Sequence, residues 1–268
     1  MHNFSDFILT NDNKPTTALK NILNYCAINP DQPLNALIAQ TQKQWLRPAS
    51  SERWHLQETR KSDQKTYLLT LFKEIGLVQQ FDPRGGNYDY ILFMGGDLPG
   101  MQERLAYMLS ICQEKIIPRN LVFLTAERPL DPEHESAHLD FENQPKTEYE
   151  LLRFLYEHAQ LPLSLSSIAP IYINTPNQMR NNRICRATTP DTLIEWLKER
   201  PIPGSCLVIS SQPLIGYQNS VTHTLLSKKF IIESVGPEAS LEISTDEYLD
   251  TLARWLYQEG ILRKVTSA

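Results

Sequence analysis

Tyr88-Asp89-Tyr90-Ile91-Leu92-Phe93-Met94-Gly95-Gly96-Asp97 is an apolar run that stops at two glycines and a carboxylate, and an amphipathic stretch begins close behind it near Pro99. Strand, tight turn and helix in that order form the repeating unit of an open α/β sheet. Ligands of such sheets collect at the carboxyl ends of the strands. Gly95, Gly96 and Asp97 therefore mark the edge where a site is expected.

Beyond this run the alternation continues. Strands are predicted over 89–95, 120–125, 168–174, 205–210 and 229–235, and helices over 100–115, 146–159, 189–199, 215–226 and 245–259. Short, nearly continuous apolar strands separated by helices predict an α/β fold with a mainly parallel sheet of about five strands, covered on both faces. Before the run the period changes. Leu19, Ile22, Leu23 and Cys26 form one helical stripe, Leu34, Leu37, Ile38 and Trp45 a second, and a helix over 62–76 buries Tyr67, Leu68, Leu71, Phe72 and Ile75 and closes at Gly76. Residues 1–80 are thus expected to be a helical extension or cap, and 81–268 the α/β domain.

The chain of 268 residues is 41% hydrophobic and has a formal charge of −5. Residues 1–80 hold 9 Lys/Arg against 7 Asp/Glu, which leaves 17 against 24 in the remainder. With no basic stripe to neutralise phosphates, nucleic acid is not an expected partner. Cys26, Cys112, Cys185 and Cys206 are scattered, with no Cys-x-x-Cys pair, as expected of reduced thiols in a cytoplasmic protein. The N-terminal stretch shows no basic segment followed by an apolar one, and no run of 18 apolar residues occurs, so neither an export signal nor a membrane span is expected.

Three strands end in groups able to bind a ligand: Gly95-Gly96-Asp97, Thr125-Ala126-Glu127-Arg128 and Ser210-Ser211-Gln212. Glycines let backbone N–H groups approach an anion, hydroxyls add donors, and arginine pairs with phosphate or carboxylate. A small phosphorylated or nucleotide-like molecule suits this set. Arg104, about one turn into the following helix, and Glu148, opening the next, point back toward the same edge. For hydrolysis of a phosphoester or glycosidic bond, Asp97 or Glu148 is the candidate general base, and Arg104 or Arg128 the stabiliser of developing negative charge.

Several familiar chemistries do not fit. Gly-Gly-Asp-Leu-Pro-Gly sets Asp97 where the second glycine of a dinucleotide fingerprint stands, and neither a Walker lysine motif nor a Gly-x-Ser-x-Gly elbow occurs. His134-Glu135-Ser136-Ala137-His138 matches the zincin pattern, with Asp140 or Glu142 as a third ligand. It lies between Pro132 and Pro145 in an acidic connection with no apolar run before it, so no metal site is expected. An alternative without chemistry is an interaction module in which Trp45 and Trp54 of the helical extension meet a protein partner.

The order of Gly95-Gly96, Arg104, Thr125 and Glu148 resembles that of the bacterial YdcF-like family over roughly 88–235. Thr189-Pro190-Asp191-Thr192 and Val208-Ile209-Ser210 are similar to two further family segments. Where the family continues with a histidine and an arginine, this chain has Pro213 and Leu214-Ile215-Gly216-Tyr217-Gln218. The resemblance implies a Rossmann-like three-layer sandwich. It also implies nucleotide-like or phosphorylated ligands, S-adenosylmethionine and lipid-linked phosphates among them. No particular cofactor follows for this chain.

Overall fold

The computed structural model describes residues 3–48, 51–138, 144–180, 182–226 and 228–267, with side chains up to Lys264. Four helices come first: α1 (Ser5–Ile8), α2 (Thr17–Tyr25), α3 (Leu34–Trp45) and α4 (Ser62–Glu74). The α/β alternation follows with β1 (Gly86–Met94), α5 (Leu98–Glu114), β2 (Ile116–Ala126), α6 (Glu148–Glu157), α7 (Leu163–Ser166) and β3 (Ile171–Thr175). A hairpin of β4 (Gln178–Arg180) and β5 (Arg183–Cys185) precedes α8 (Thr189–Lys198), β6 (Ser205–Ile209), α9 (Ile215–Leu225), β7 (Ile231–Val235) and α10 (Thr245–Ser267).

The chain divides into two compact units. The α/β unit comprises Phe81–Ser211 and Leu225–Pro237. Its sheet is wholly parallel in the order β3-β2-β1-β6-β7, flanked by helices as in a Rossmann-like three-layer sandwich. Register places Phe93 beside Phe123 and Phe123 beside Tyr172 on one face. There Phe123 meets the Phe93 ring at 5.3 Å and the Tyr156 ring of α6 at 4.9 Å, within a core completed by Met101, Met108 and Leu165 of α5 and α7. Alternation along β1 turns Tyr90 to the other face, where its ring meets Trp196 of α8 at 5.4 Å. From β1 the chain adds β2 and β3 on one side, then β6 and β7 on the other. The order of strand addition reverses between β1 and β6, and in sheets of this kind such a point is where a ligand crevice is expected.

The helical unit comprises Met1–Gln80, Gln212–Thr224 and Glu238–Ala268, so it takes in more of the chain than the N-terminal 80 residues. The physical reason is α10, which packs along α3 and α4 with Leu249, Leu252, Ala253 and Leu256 buried. Helix α4 ends in a Schellman turn: Gly76 takes φ +74°, and Leu77 N–H bonds Phe72 O at 2.9 Å. Tyr67, expected inside, is 48% exposed. All four cysteines are free thiols, and burial pushes Cys112 and Cys206 up to about 12. Among the described residues no helix is long and apolar enough to cross a membrane.

Asp250 holds the helical unit electrostatically. Its fully buried carboxylate accepts from Arg47 N at 3.0 Å, Arg47 Nη1 at 2.5 Å, Arg254 Nε at 3.0 Å and Arg254 Nη2 at 3.1 Å. Burial acts to raise its pKa, but the hydrogen bonds and charges of Arg254 and Arg47 outweigh burial and hold it below the ordinary 3.8. A carboxylate with a depressed native pKa contributes stability above the unfolded value and loses it as pH falls through the native one. Asp250→Asn should therefore lower stability at neutral pH and flatten the acid limb of the pH–stability curve. Urea unfolding from pH 7 downward checks this, and an acid limb as steep as in the native chain would remove Asp250 from the role.

Candidate functional site

The carboxyl ends of β1 and β6 are bridged by one side chain. Helix α5 starts at Asp97, whose Oδ1 accepts Gly100 N–H at 3.1 Å, with Pro99 preorganising the first turn. Helical side chains lean toward the N-terminus, which carries Arg104 back over the strand ends. Only 1% exposed, Arg104 donates from Nε to Ser211 Oγ at 2.9 Å and from Nη1 to Met94 O at 2.8 Å and Gly95 O at 2.5 Å. The guanidinium thus ties the end of β1 to Ser211, two residues beyond the end of β6.

A second arginine closes the β1–β2 side. All five donor positions of Arg128 are engaged. Nε bonds Glu148 Oε2 at 3.1 Å, Nη1 bonds Glu135 Oε2 at 2.6 Å and Pro129 O at 3.3 Å, and Nη2 bonds Glu135 Oε1 at 2.8 Å and Gly96 O at 2.9 Å. The Glu135 carboxylate, 0% exposed, also accepts Leu98 N–H at 3.1 Å and Asp131 N–H at 2.8 Å. Such a network is stable only when each member is satisfied.

Glu148 differs from Glu135. One oxygen bonds Arg128, while Oε1 makes no hydrogen bond among the described residues and lies so close over Gly95 that a Cβ there would stand 2.2 Å from it. Burial pushes the Glu148 carboxyl above the usual range, against the pull of Arg128 and Arg104. The Gly96 N–H likewise makes no hydrogen bond among the described residues.

Gly95, Gly96, Asp97, Arg104, Arg128, Glu148 and Ser211 are linked by these bonds and close approaches into one cluster. Thr125 and Ser210 lie at the same edge with their backbone in the sheet. The Thr125 hydroxyl donates to Ile173 O at 2.8 Å, and Ser210 N–H bonds Val235 O at 2.9 Å. Gln212 belongs to the helical unit, where Nε2 bonds Gly76 O at 2.8 Å and Gln79 O at 2.9 Å. Asp97 is a helix cap, with Oδ2 3.8 Å from His134 Nε2.

Glu135 is the residue that sequence reasoning missed. Its only signal was the zincin pattern, which assigns it to water activation. The pattern is not a metal helix here: residues 136–138 form a short 3-10 turn, and Glu135 is sealed against Arg128. Asp140 and Glu142 lie outside the described residues, and among those described no group of three His, Cys, Asp or Glu could hold a metal. In the helical unit Trp45 is 9% exposed, and Trp54 is half-buried beside the His55 ring. Neither offers a broad aromatic surface.

An open groove of about 910 Å³ also runs along α6, lined by Lys146, Tyr149, Arg153 and Phe154. Arg153 there is already paired with Glu157 at 3.0 Å. No protein-family model, curated protein or solved structure matches the chain. The YdcF-like resemblance accordingly rests on the residues quoted for it alone.

Proposed function

We propose that the α/β unit binds a small nucleotide-like or phosphorylated molecule in a crevice at the carboxyl end of β1, bounded by Arg104 on the β6 side and Glu148 on the β2 side. The observation that carries this reading is Glu148, a residue only 8% exposed whose Oε1 makes no hydrogen bond among the described residues and lies against the Gly95 turn. A carboxylate oxygen that no protein donor uses, on a residue otherwise held in place by Arg128, is an acceptor that a ligand can meet. Where that ligand carries a scissile phosphoester or glycosidic bond, Glu148 is the general base or acid. Its raised pKa suits proton transfer. Arg104 then stabilises developing negative charge, whereas Asp97 and Arg128 support the site from their capping and bridging positions.

Thermal unfolding of the whole chain with adenosine, AMP, ADP and glucose 6-phosphate tests the reading. A binder of the native state raises Tm with concentration, by the equivalent of about 2.7 kcal/mol at a hundred times Kd. Glu148→Gln is expected to abolish turnover of any probe that the native chain hydrolyses. No rise with any probe would sink the reading. The complete internal satisfaction of Arg128 favours a second reading, a binding module without catalysis. Saturable binding with no product formed would establish it.

A further inference from the structure

We infer that the crevice takes a neutral hydroxylated ligand, a sugar or the ribose of a nucleoside, held through its hydroxyls and without a phosphate against α5. This rests on the reading that a small molecule binds at this edge, and within that reading it keeps the nucleoside- or sugar-like part of the ligand and sets the phosphate aside.

In a sheet of this strand order the natural phosphate position is the N-terminus of the helix after β1, where free backbone N–H groups and the helix dipole favour an anion. Here those donors are already taken. Leu98 N–H bonds Glu135 Oε1 at 3.1 Å, Pro99 has no N–H, Gly100 N–H bonds Asp97 Oδ1 at 3.1 Å, and Met101 N–H bonds Asp97 O at 2.9 Å. Two carboxylates therefore stand where a phosphate would. Arg128, the cation beside them, has every donor position engaged by Glu135, Glu148 and backbone carbonyls. An incoming phosphate would have to displace the fully buried Glu135 or accept the repulsion of two like charges.

What the site offers instead is an acceptor. Glu148 Oε1, which lies against Gly95, makes no hydrogen bond among the described residues, and neither does the N–H of the next residue, Gly96. A carboxylate next to an amide donor matches the donor-and-acceptor character of a sugar hydroxyl. It matches a phosphate, which at neutral pH is chiefly an acceptor, poorly.

The test compares matched probes on the native chain by calorimetry and thermal unfolding: adenosine with AMP, and glucose with glucose 6-phosphate, with inorganic phosphate as a further arm. The expected result is saturable binding of at least one neutral member and at least tenfold weaker binding of its phosphate ester. Inorganic phosphate should not shift Tm. Glu148→Gln should weaken the neutral ligand at least tenfold while the variant still unfolds cooperatively. A phosphate ester that binds as tightly as its neutral partner, or more tightly, overturns this inference and leaves the proposed function standing. No binding by any probe overturns both. The native-chain comparison decides the matter even if the variant fails to fold.

Discussion

Glu135→Ala is expected to lower the unfolding free energy by about 3–5 kcal/mol, the cost of removing one partner from a buried ion pair. The lost carboxylate serves four donors, namely Arg128 Nη1 and Nη2, Leu98 N–H and Asp131 N–H. Without it the guanidinium keeps Glu148 and two carbonyls but loses its bidentate partner, and two backbone amides lose their acceptor in a space that excludes water. Glu135→Gln preserves shape but not charge and should fall between the two. Because the vacated space is lined by donors, a small carboxylate can enter it. Formate should therefore raise the melting temperature of Glu135→Ala in a concentration-dependent way and leave the native chain unchanged. Urea unfolding at pH 7 with and without formate provides the measurement. A loss under about 1 kcal/mol would put the pair in the class of exposed salt bridges and remove it as the organiser of the site.

That Glu135 escaped the sequence while Arg104 did not has a physical cause. Arg104 follows the helix cap at Asp97 by a fixed number of residues, and helical geometry then dictates which way it leans, so its position can be read from spacing. Glu135 sits in the long connection between β2 and α6. Its place depends on how that connection folds back over the strand ends, and no periodicity encodes such a path. The same distinction applies to the sheet. The five strands were legible as apolar runs, and their carboxyl ends as glycine and hydroxyl residues. Whether the hydroxyl of Thr125 faced a ligand or the Ile173 carbonyl was not legible, because both need the same residue type. The helical unit shows a further limit. The apolar residues of α10 announce a buried helix but not the elements that bury it, so its union with α3 and α4 emerges only in three dimensions. The β4–β5 hairpin, with Met179 and Ile184 at 68% and 74% exposure, buries too little to leave an apolar signature.

Gly95→Ala is expected to destabilise the α/β unit by about 3 kcal/mol, the upper part of the usual range for overpacking. A methyl group at Gly95 would stand 2.2 Å from Glu148 Oε1 and 2.7 Å from Leu124 O. The first contact could be relieved by rotating Glu148 away, at the cost of its bond to Arg128 Nε. The second cannot, because Leu124 O belongs to the backbone of β2 and already accepts Gly95 N–H at 2.9 Å. Gly96 is the internal comparison. Its nearest contact is Arg104 Nη1 at 2.9 Å, the far end of a flexible side chain, so Gly96→Ala should cost distinctly less. Combining Gly95→Ala with Glu148→Ala removes one contact and not the other, which predicts partial coupling in a double-mutant cycle. Denaturant unfolding of Gly95→Ala, Gly96→Ala, Glu148→Ala and the double variant reads both costs and the coupling. If Gly95→Ala cost no more than Gly96→Ala, the Glu148 carboxylate would not be seated against the turn after β1. The acceptor proposed to meet a ligand hydroxyl would then have to lie elsewhere.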